Sequence, residues 1–225
     1  MNQAASKSLS NSQRALRELR KMIFSGELAG GTDHLESELA EQLGMSRTPV
    51  REAALTLENQ GLLELRPRKG VRILPLSPSD MREIYEVLTE LESLAAEQAA
   101  KRGYDAAALG NLARAIEDMD LAIAEQALEA WAEADDRFHA ELVRLGGNSR
   151  VNTIFHMMND QVRRARMTTL FIRPLPTKSN ADHRAVYEAI KNGDAQTART
   201  RHREHRQHAK DILIELIEKH RLSRL

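Results

Sequence analysis

The segment from Leu35 to Ile73 restricts what this chain can fold into more than any other. Leu39, Ala40 and Leu43 mark one face of a short helix, and Gly44 follows where a helix commonly ends in a residue tolerant of positive φ. Val50, Ala53, Ala54 and Leu57 then recur at i, i+3, i+4 and i+7, the inner face of a second helix. Ser46 stands at the cap position of that helix, and Pro49 falls in its first turn, where the missing N–H is not needed. Beyond Gly61, Leu63 and Leu65 alternate, as do Val71 and Ile73, on either side of a turn from Arg66 to Gly70. Helix, four-residue turn, helix and hairpin in this order are the sequence form of a helix-turn-helix followed by a wing.

Upstream, Leu16, Leu19 and Ile23 are spaced for a further helix from Ser12, ended by Gly26 and the Gly30-Gly31 pair. Residues 1–11 are small and polar and read as a flexible arm. The expected layout is this arm, a winged helix-turn-helix over 12–75, and a second domain over 76–225.

The face of the second helix opposite its apolar stripe begins with Arg47, Thr48 and Arg51. Two guanidiniums and a hydroxyl at a helix N-terminus suit guanine edges and phosphate in a major groove. Arg66, Arg68 and Lys69 beside the flexible Gly70 place three cations at the hairpin, suited to a minor groove or a phosphate backbone. Formal net charge is zero, yet residues 1–76 carry 11 Lys/Arg against 9 Asp/Glu, residues 77–160 carry 7 against 17, and residues 161–225 carry 15 against 7. Affinity for nucleic acid must therefore come from where the arginines sit rather than from bulk charge.

Absent cysteine excludes disulfides and thiolate metal sites, so any transition metal must be held by His and carboxylates. The first residues lack the apolar core of a signal peptide, and no apolar run is long enough to span a bilayer. A cytoplasmic protein with no membrane partner is the expectation.

From Ser77-Pro78-Ser79-Asp80, a capping-box start with proline at the first helical position, nearly everything reads as helix. Apolar positions at three-and-four spacing run over 81–99, 109–123, 128–145, 151–170, 183–190 and 195–222, with breaks at Gly103, near Gln126, at Gly146-Gly147, at Pro174 and Pro176, and at Asn192-Gly193. The fold class expected is mainly α, a winged helix-turn-helix plus an antiparallel bundle of about six helices.

Several core-facing positions of this bundle are polar. Asp135 and His139 are one turn apart on the face of Leu128 and Leu142, and His183 opens the stripe Val186, Tyr187, Ile190. The last helix carries His202 and His205 in the seam Ala198, Ala209, Ile212, Leu216. Buried His and Asp on separate helices are costly unless paired, and convergence on a metal is one solution. Hydrogen-bonded core histidines are the other, and periodicity separates neither these two readings nor His202 from His205.

Residues 12–74 resemble the winged helix-turn-helix of the GntR family of bacterial transcription regulators, in a signature running from Glu38-Leu39-Ala40 through Ser46-Arg47-Thr48-Pro49-Val50-Arg51-Glu52-Ala53. The resemblance implies that Ser37, Arg47, Thr48 and Arg51 touch DNA, with Gly70 at the wing tip. Asp135-Asp-Arg-Phe-His139, Gly147-Asn148-Ser149-Arg150, His183 and a histidine twelve residues after Gly193 resemble the FCD effector-binding domain of FadR-type members. That implies a divalent transition metal, zinc first with nickel or manganese as alternatives, on Asp135, His139, His183 and His205. One departure is Leu88, where such proteins often carry an arginine in the first bundle helix.

A ligand set of this kind leaves a coordination position open to a small carboxylate. Arg163, Arg164 and Arg166, on the helix after Asn148, are candidates together with Asn148 for holding the rest of an anionic effector. The expectation is a homodimeric, non-enzymatic regulator, a repressor before an activator, that binds a pseudo-palindromic double-stranded operator and responds to a small organic acid. A metal-dependent hydrolase fused to a DNA-binding module is the rival from another class, although no additional Glu is placed obviously as general base beside the ligands. A purely structural metal is the third reading.

Overall fold

The computed structural model describes residues 9–222, and the chain divides into two compact units that meet in sequence at Pro75 and Leu76.

In the first unit, α1 (Asn11–Ser25), α2 (Glu36–Gln42) and α3 (Arg47–Asn59) accompany three strands, β1 (Asp33–His34), β2 (Leu63–Arg66) and β3 (Gly70–Ile73). Residues 1–8 of the expected arm lie outside the described residues, and its end is already helical. Ser10 caps α1 by accepting from the Gln13 N–H, while the Gln13 side chain accepts from the Ser10 N–H. That reciprocal capping box satisfies two otherwise orphan donors, which is why a polar stretch orders here. Ser46 does occupy the N-cap of α3, but its side chain makes no capping bond.

The strands form an antiparallel sheet in the order β1-β3-β2, with Asp33 opposite Arg72, Leu63 opposite Ile73 and Arg66 opposite Gly70. Leu19, Leu39, Val50, Leu57, Leu63, Val71 and Ile73 close a single apolar core, with Leu65 partly buried against it. Gly44 makes the turn between α2 and α3 at φ 61°, where a side chain would be strained. The expected winged helix-turn-helix is present.

Among the described residues the second unit is all helix: α4 (Pro78–Lys101), α5 (Gly110–Ala124), α6 (Leu128–Gly146), α7 (Ser149–Thr169), α8 (Thr177–Lys191) and α9 (Ala195–Lys219). Ser77 caps α4 by accepting from the Asp80 N–H at 3.2 Å, with Pro78 in the first turn. α4 packs against α6, α7, α8 and α9, so its side chains reach the interior from several sides. Two apolar clusters fill the bundle, one around Leu112, Trp131, Phe138 and Ile190, the other around Tyr85, Leu88, Phe155, Leu213 and Ile217. On α4 and α9 they are separated by polar residues: Glu92 and Ser93 lie between Leu88 and Ala96, and His202, His205 and Arg206 between Ala198 and Leu213. That interruption is where the candidate metal centre forms.

Candidate nucleic-acid interface and candidate metal centre

In the first unit a cleft of about 410 Å³ opens between the starts of α2 and α3 and the hairpin. Ser37, Arg47, Arg51, Arg66, Arg68 and Gly70 line it, so six of the eight residues expected to touch DNA share one surface. Thr48 and Lys69 are exposed but do not line the cleft. The α3 arginines extend into solvent, Arg47 with 70% and Arg51 with 64% of its side chain accessible. Arg66 is more constrained, within 3.4 Å of Asp33 and 3.3 Å of Glu64. At Gly70, φ is 85°, and a Cβ there would overlap the His34 carbonyl oxygen. Glycine is therefore required at the hairpin end for both backbone angle and close approach.

Glu36 is a cleft residue that the sequence reading missed. Its two carboxylate oxygens lie 3.6 Å from Arg47 Nη2 and 3.6 Å from Arg51 Nη1. An acid between two arginines one helical turn apart limits their rotamers, and such exposed pairs contribute only about 0–1 kcal/mol to stability. Its sequence signal was its place beside Ser37 in the first turn of α2.

In the bundle, α6 supplies Asp135 and His139, α8 supplies His183 and α9 supplies His205, all buried. One donor atom from each of His139, His183 and His205 lies within 4.8 Å of the others. Asp135 sits beside them, Oδ1 at 3.5 Å from His183 Nε2 and Oδ2 at 3.7 Å from His139 Nε2. The same carboxylate is held by Arg166 Nη2 at 2.8 Å. Burial pushes its pKa up, but Arg166 and His139 outweigh that and leave it below the ordinary 3.8.

His202 faces elsewhere. Its Nδ1 is 3.2 Å from Ser93 Oγ and its Nε2 is 3.5 Å from Glu92 Oε2, one helical turn from the three-histidine group. A second set of donors, Glu92, His139 and His202, is also close enough for a metal. Arg206 Nη2 already lies 3.3 Å from Glu92 Oε1, and His139 Nδ1 lies 2.6 Å from Glu92 Oε2. The guanidinium's charge lies beside this carboxylate and the imidazole hydrogen-bonds its Oε2, which suits Glu92 to a supporting role, although Oε1 accepts no hydrogen bond among the described residues. Burial pushes Glu92 up, yet Arg206 and His139 hold it well below 4.5, so it is ionised. His205 has a similar outward partner, with Nδ1 3.8 Å from Asp182 Oδ2.

The outward nitrogens of two histidines thus face carboxylates, while His183 has neither ring nitrogen hydrogen-bonded among the described residues. Burial, reinforced by neighbouring His205 and His139, holds His183 well below its ordinary 6.5, so its ring is neutral. Neutral imidazoles with free lone pairs beside an ionised carboxylate are the donor set a divalent metal takes. The residues present fit such an ion.

The expected anion-holding residues are placed differently from one another. Asn148 is the N-cap of α7, accepting from the N–H groups of Arg150 and Val151. Arg163 pairs with Asp136 at 2.8 Å, and Arg166 reaches Asp136 at 2.5 Å as well as Asp135. Arg164 is buried, and burial draws its guanidinium down to about 10. Leu88 is fully buried in apolar surroundings, one turn before Glu92.

A winged-helix unit with an arginine-lined cleft, followed by an all-helical bundle, is the architecture of a DNA-binding protein with a second domain. Residues 11–73 match the model of the bacterial regulatory proteins of the gntR family, and residues 83–208 match the FCD domain. The chain is 42% identical over 131 residues, 57% of its length and 77% of the relative's, to an uncharacterised HTH-type transcriptional regulator in the TAR-I ttuE-ttuC' intergenic region of Agrobacterium vitis. It is 32% identical over 188 residues, 81% of its length and 76% of the relative's, to an uncharacterised HTH-type transcriptional regulator in an unstable DNA locus of Streptomyces ambofaciens. Its fold matches that of McbR/YncC of E. coli with a TM-score of 0.75 at 22% identity, over 92% of this chain and 98% of that one. The chain belongs to the GntR family of transcription regulators and carries an FCD domain. Among the described residues no helix is long and apolar enough to cross a membrane.

Proposed function

We propose that this regulator binds a pseudo-palindromic operator as a homodimer, holds a divalent metal in its bundle, and changes its operator affinity when a small organic acid reaches that metal. The convergence of His139, His183 and His205, with both ring nitrogens of buried His183 lacking a hydrogen bond among the described residues, carries the reading. Burying His183 with neither ring nitrogen bonded is costly, and a metal shared with His139 and His205 removes that cost. When bound, the ion supplies a Lewis-acidic position at which a carboxylate oxygen can sit. Glu92 and Asp182 orient the histidine rings, and Arg166 holds the Asp135 carboxylate in place. Zinc suits three imidazoles and a carboxylate, with nickel and manganese as the alternatives.

In the first unit Arg47, Thr48 and Arg51 present the polar start of α3 to base edges and phosphates, with Ser37 beside them and Arg66, Arg68, Lys69 and Gly70 at the hairpin. So few contacts give modest specificity from one copy, which favours pairing of two copies on a two-fold site. Repression follows if the acid-free form is the one that binds DNA, the acid favouring another conformation. Metal analysis of the purified protein, with an operator gel shift in the presence and absence of small organic acids, tests this. One equivalent of metal per chain and acid-dependent release are expected. A metal-free protein with unaltered folding and acid response would overturn the metal's part. Shared features of a catalytic zinc site keep a hydrolase as the rival, and unchanged candidate acids after incubation with the metal-loaded protein would dismiss it.

A further inference from the structure

Among the described residues that line the arginine cleft of the first unit, Glu36 is the only acid, set beside Arg47, Arg51, Arg66 and Arg68. A carboxylate on a surface that meets phosphates opposes binding by its charge, so its place there calls for a compensating use. Its two oxygens are divided between two cations, Oε2 at 3.6 Å from Arg47 Nη2 and Oε1 at 3.6 Å from Arg51 Nη1. The Glu36 side chain is only 11% accessible, whereas both guanidiniums are exposed. The acid therefore acts on a duplex through its partners rather than by contact.

Neighbouring acids are placed differently. Asp33 and Glu64, the partners of Arg66, have 46% and 50% of their side chains accessible, so solvent screens those pairs more strongly. Glu38 closes the start of α2, its side chain accepting from the Leu35 N–H at 3.1 Å. That cap leaves Glu36 unaccounted for, except that an acid in a first turn also favours the helix dipole. Arg47 and Arg51 are four residues apart and so neighbours on one face of α3. One carboxylate shared between them sets the spacing of their guanidiniums. Each guanidinium has five N–H donors and a guanine edge accepts two, so carboxylate and base can be served together.

We infer that Glu36 is a positioning residue for DNA recognition, which holds Arg47 and Arg51 at a set spacing for base edges and offsets their attraction for phosphate. It raises discrimination between sequences and lowers affinity for DNA in general. Side chains ordered before binding lose less freedom on a matched site, whereas the negative charge weakens phosphate contacts on every duplex. This rests on the placing of Arg47 and Arg51 at the duplex and adds what selects between duplexes.

Selection from a pool of randomised duplexes by the full-length protein supplies a preferred sequence. Titrating that duplex and an unselected one at two salt concentrations then gives the affinity ratio and the salt dependence. Glu36→Gln keeps the reach of the side chain and removes its charge. The ratio should fall about tenfold, the unselected duplex should bind more tightly, and the salt dependence should steepen by about one counterion. Glu36→Asp keeps the charge and the favourable dipole but falls short of both arginines, so the ratio should fall similarly while the salt dependence stays. Melting temperatures report whether the variants fold. An unchanged ratio in either folded variant overturns the inference, and a role confined to the helix dipole predicts that result for Glu36→Asp. Should neither fold, NMR relaxation of arginine Nε–H groups in the unmodified, DNA-free protein decides. Arg47 and Arg51 should move less than Arg114, which is exposed on α5 with no ion pair among the described residues, and equal mobility overturns the inference. Arg47→Ala and Arg51→Ala variants that both keep the parent's affinity and preference remove these arginines from the duplex, and with them the contact reading itself.

Discussion

Glu92 Oε2 and His139 Nδ1 lie 2.6 Å apart, both fully enclosed by the bundle, although 47 positions separate them in the chain. A proton on Nδ1 directed at that carboxylate leaves the lone pair of His139 on Nε2, the side facing Asp135.

Replacing Glu92 with Gln should therefore weaken zinc binding by about 10- to 100-fold, since the amide orients the ring less strongly and no longer raises its basicity. It also leaves Arg206 buried without its anion, so the melting temperature should fall as well. Competition against a zinc indicator, alongside thermal melts, reads the two effects separately. Unaltered zinc affinity would mean that Glu92 serves Arg206 alone.

Metal-free protein should lose stability on mild acidification. Burial lowers His202 to about 4, and it depresses His183 and His205 in the same direction. Between about pH 6.5 and pH 4 the unfolded chain binds protons that the folded bundle refuses, so stability is full above 6.5 and falls as pH drops through that window. His202 alone contributes on the order of 3 kcal/mol to the change. Denaturant melts across that range on chelator-treated protein measure it, and a flat profile would contradict neutral buried imidazoles. Glu92, held well below 4.5, adds its own loss as pH falls below about 4.5.

Arg51→Ala should weaken operator binding by about 1–3 kcal/mol if its guanidinium reads a base, and relax preference at one position of each half-site. A phosphate contact would instead weaken all sequences alike and reduce the salt dependence. Gel shifts on operator and scrambled duplexes at two salt concentrations distinguish these. Equal affinity of variant and parent would take Arg51 off the interface.

Gly146→Ala should destabilise the bundle by about 1–3 kcal/mol. A Cβ at Gly146 would lie 2.7 Å from both Cα and Cβ of Ala95, backbone to backbone between α6 and α4. Those two helices carry His139 and Glu92, so looser metal binding should accompany the lower melting temperature. A variant as stable as its parent would show that the helices separate at little cost.

Much of this architecture was legible in local pattern. The three-and-four apolar spacing marked each bundle helix, and Gly44 with the α3 stripe marked the helix-turn-helix, because periodicity and turn chemistry act over a few residues. Asp135, His139, His183 and the His202/His205 pair stood out for the same reason, as polar residues on apolar faces. Glu92 carried the same signal, lying one turn after Leu88 and one before Ala96, but it went unread among the many acids of α4.

What the sequence by itself determined is the set of helix faces, the turn glycines and which faces carry ionisable groups. Which nitrogen faces which neighbour was decided only by packing. His202 and His205 sit on the same α9 seam, and their difference arises because α4 brings Ser93 and Glu92 to one while α6 and α8 bring His139 and His183 to the other. Arg163, Arg166 and Arg173 are likewise indistinguishable as letters. Asp136 and Asp135 neutralise the first two, and the third is left facing a cavity, because a charge's partners are set by helices far away in the chain.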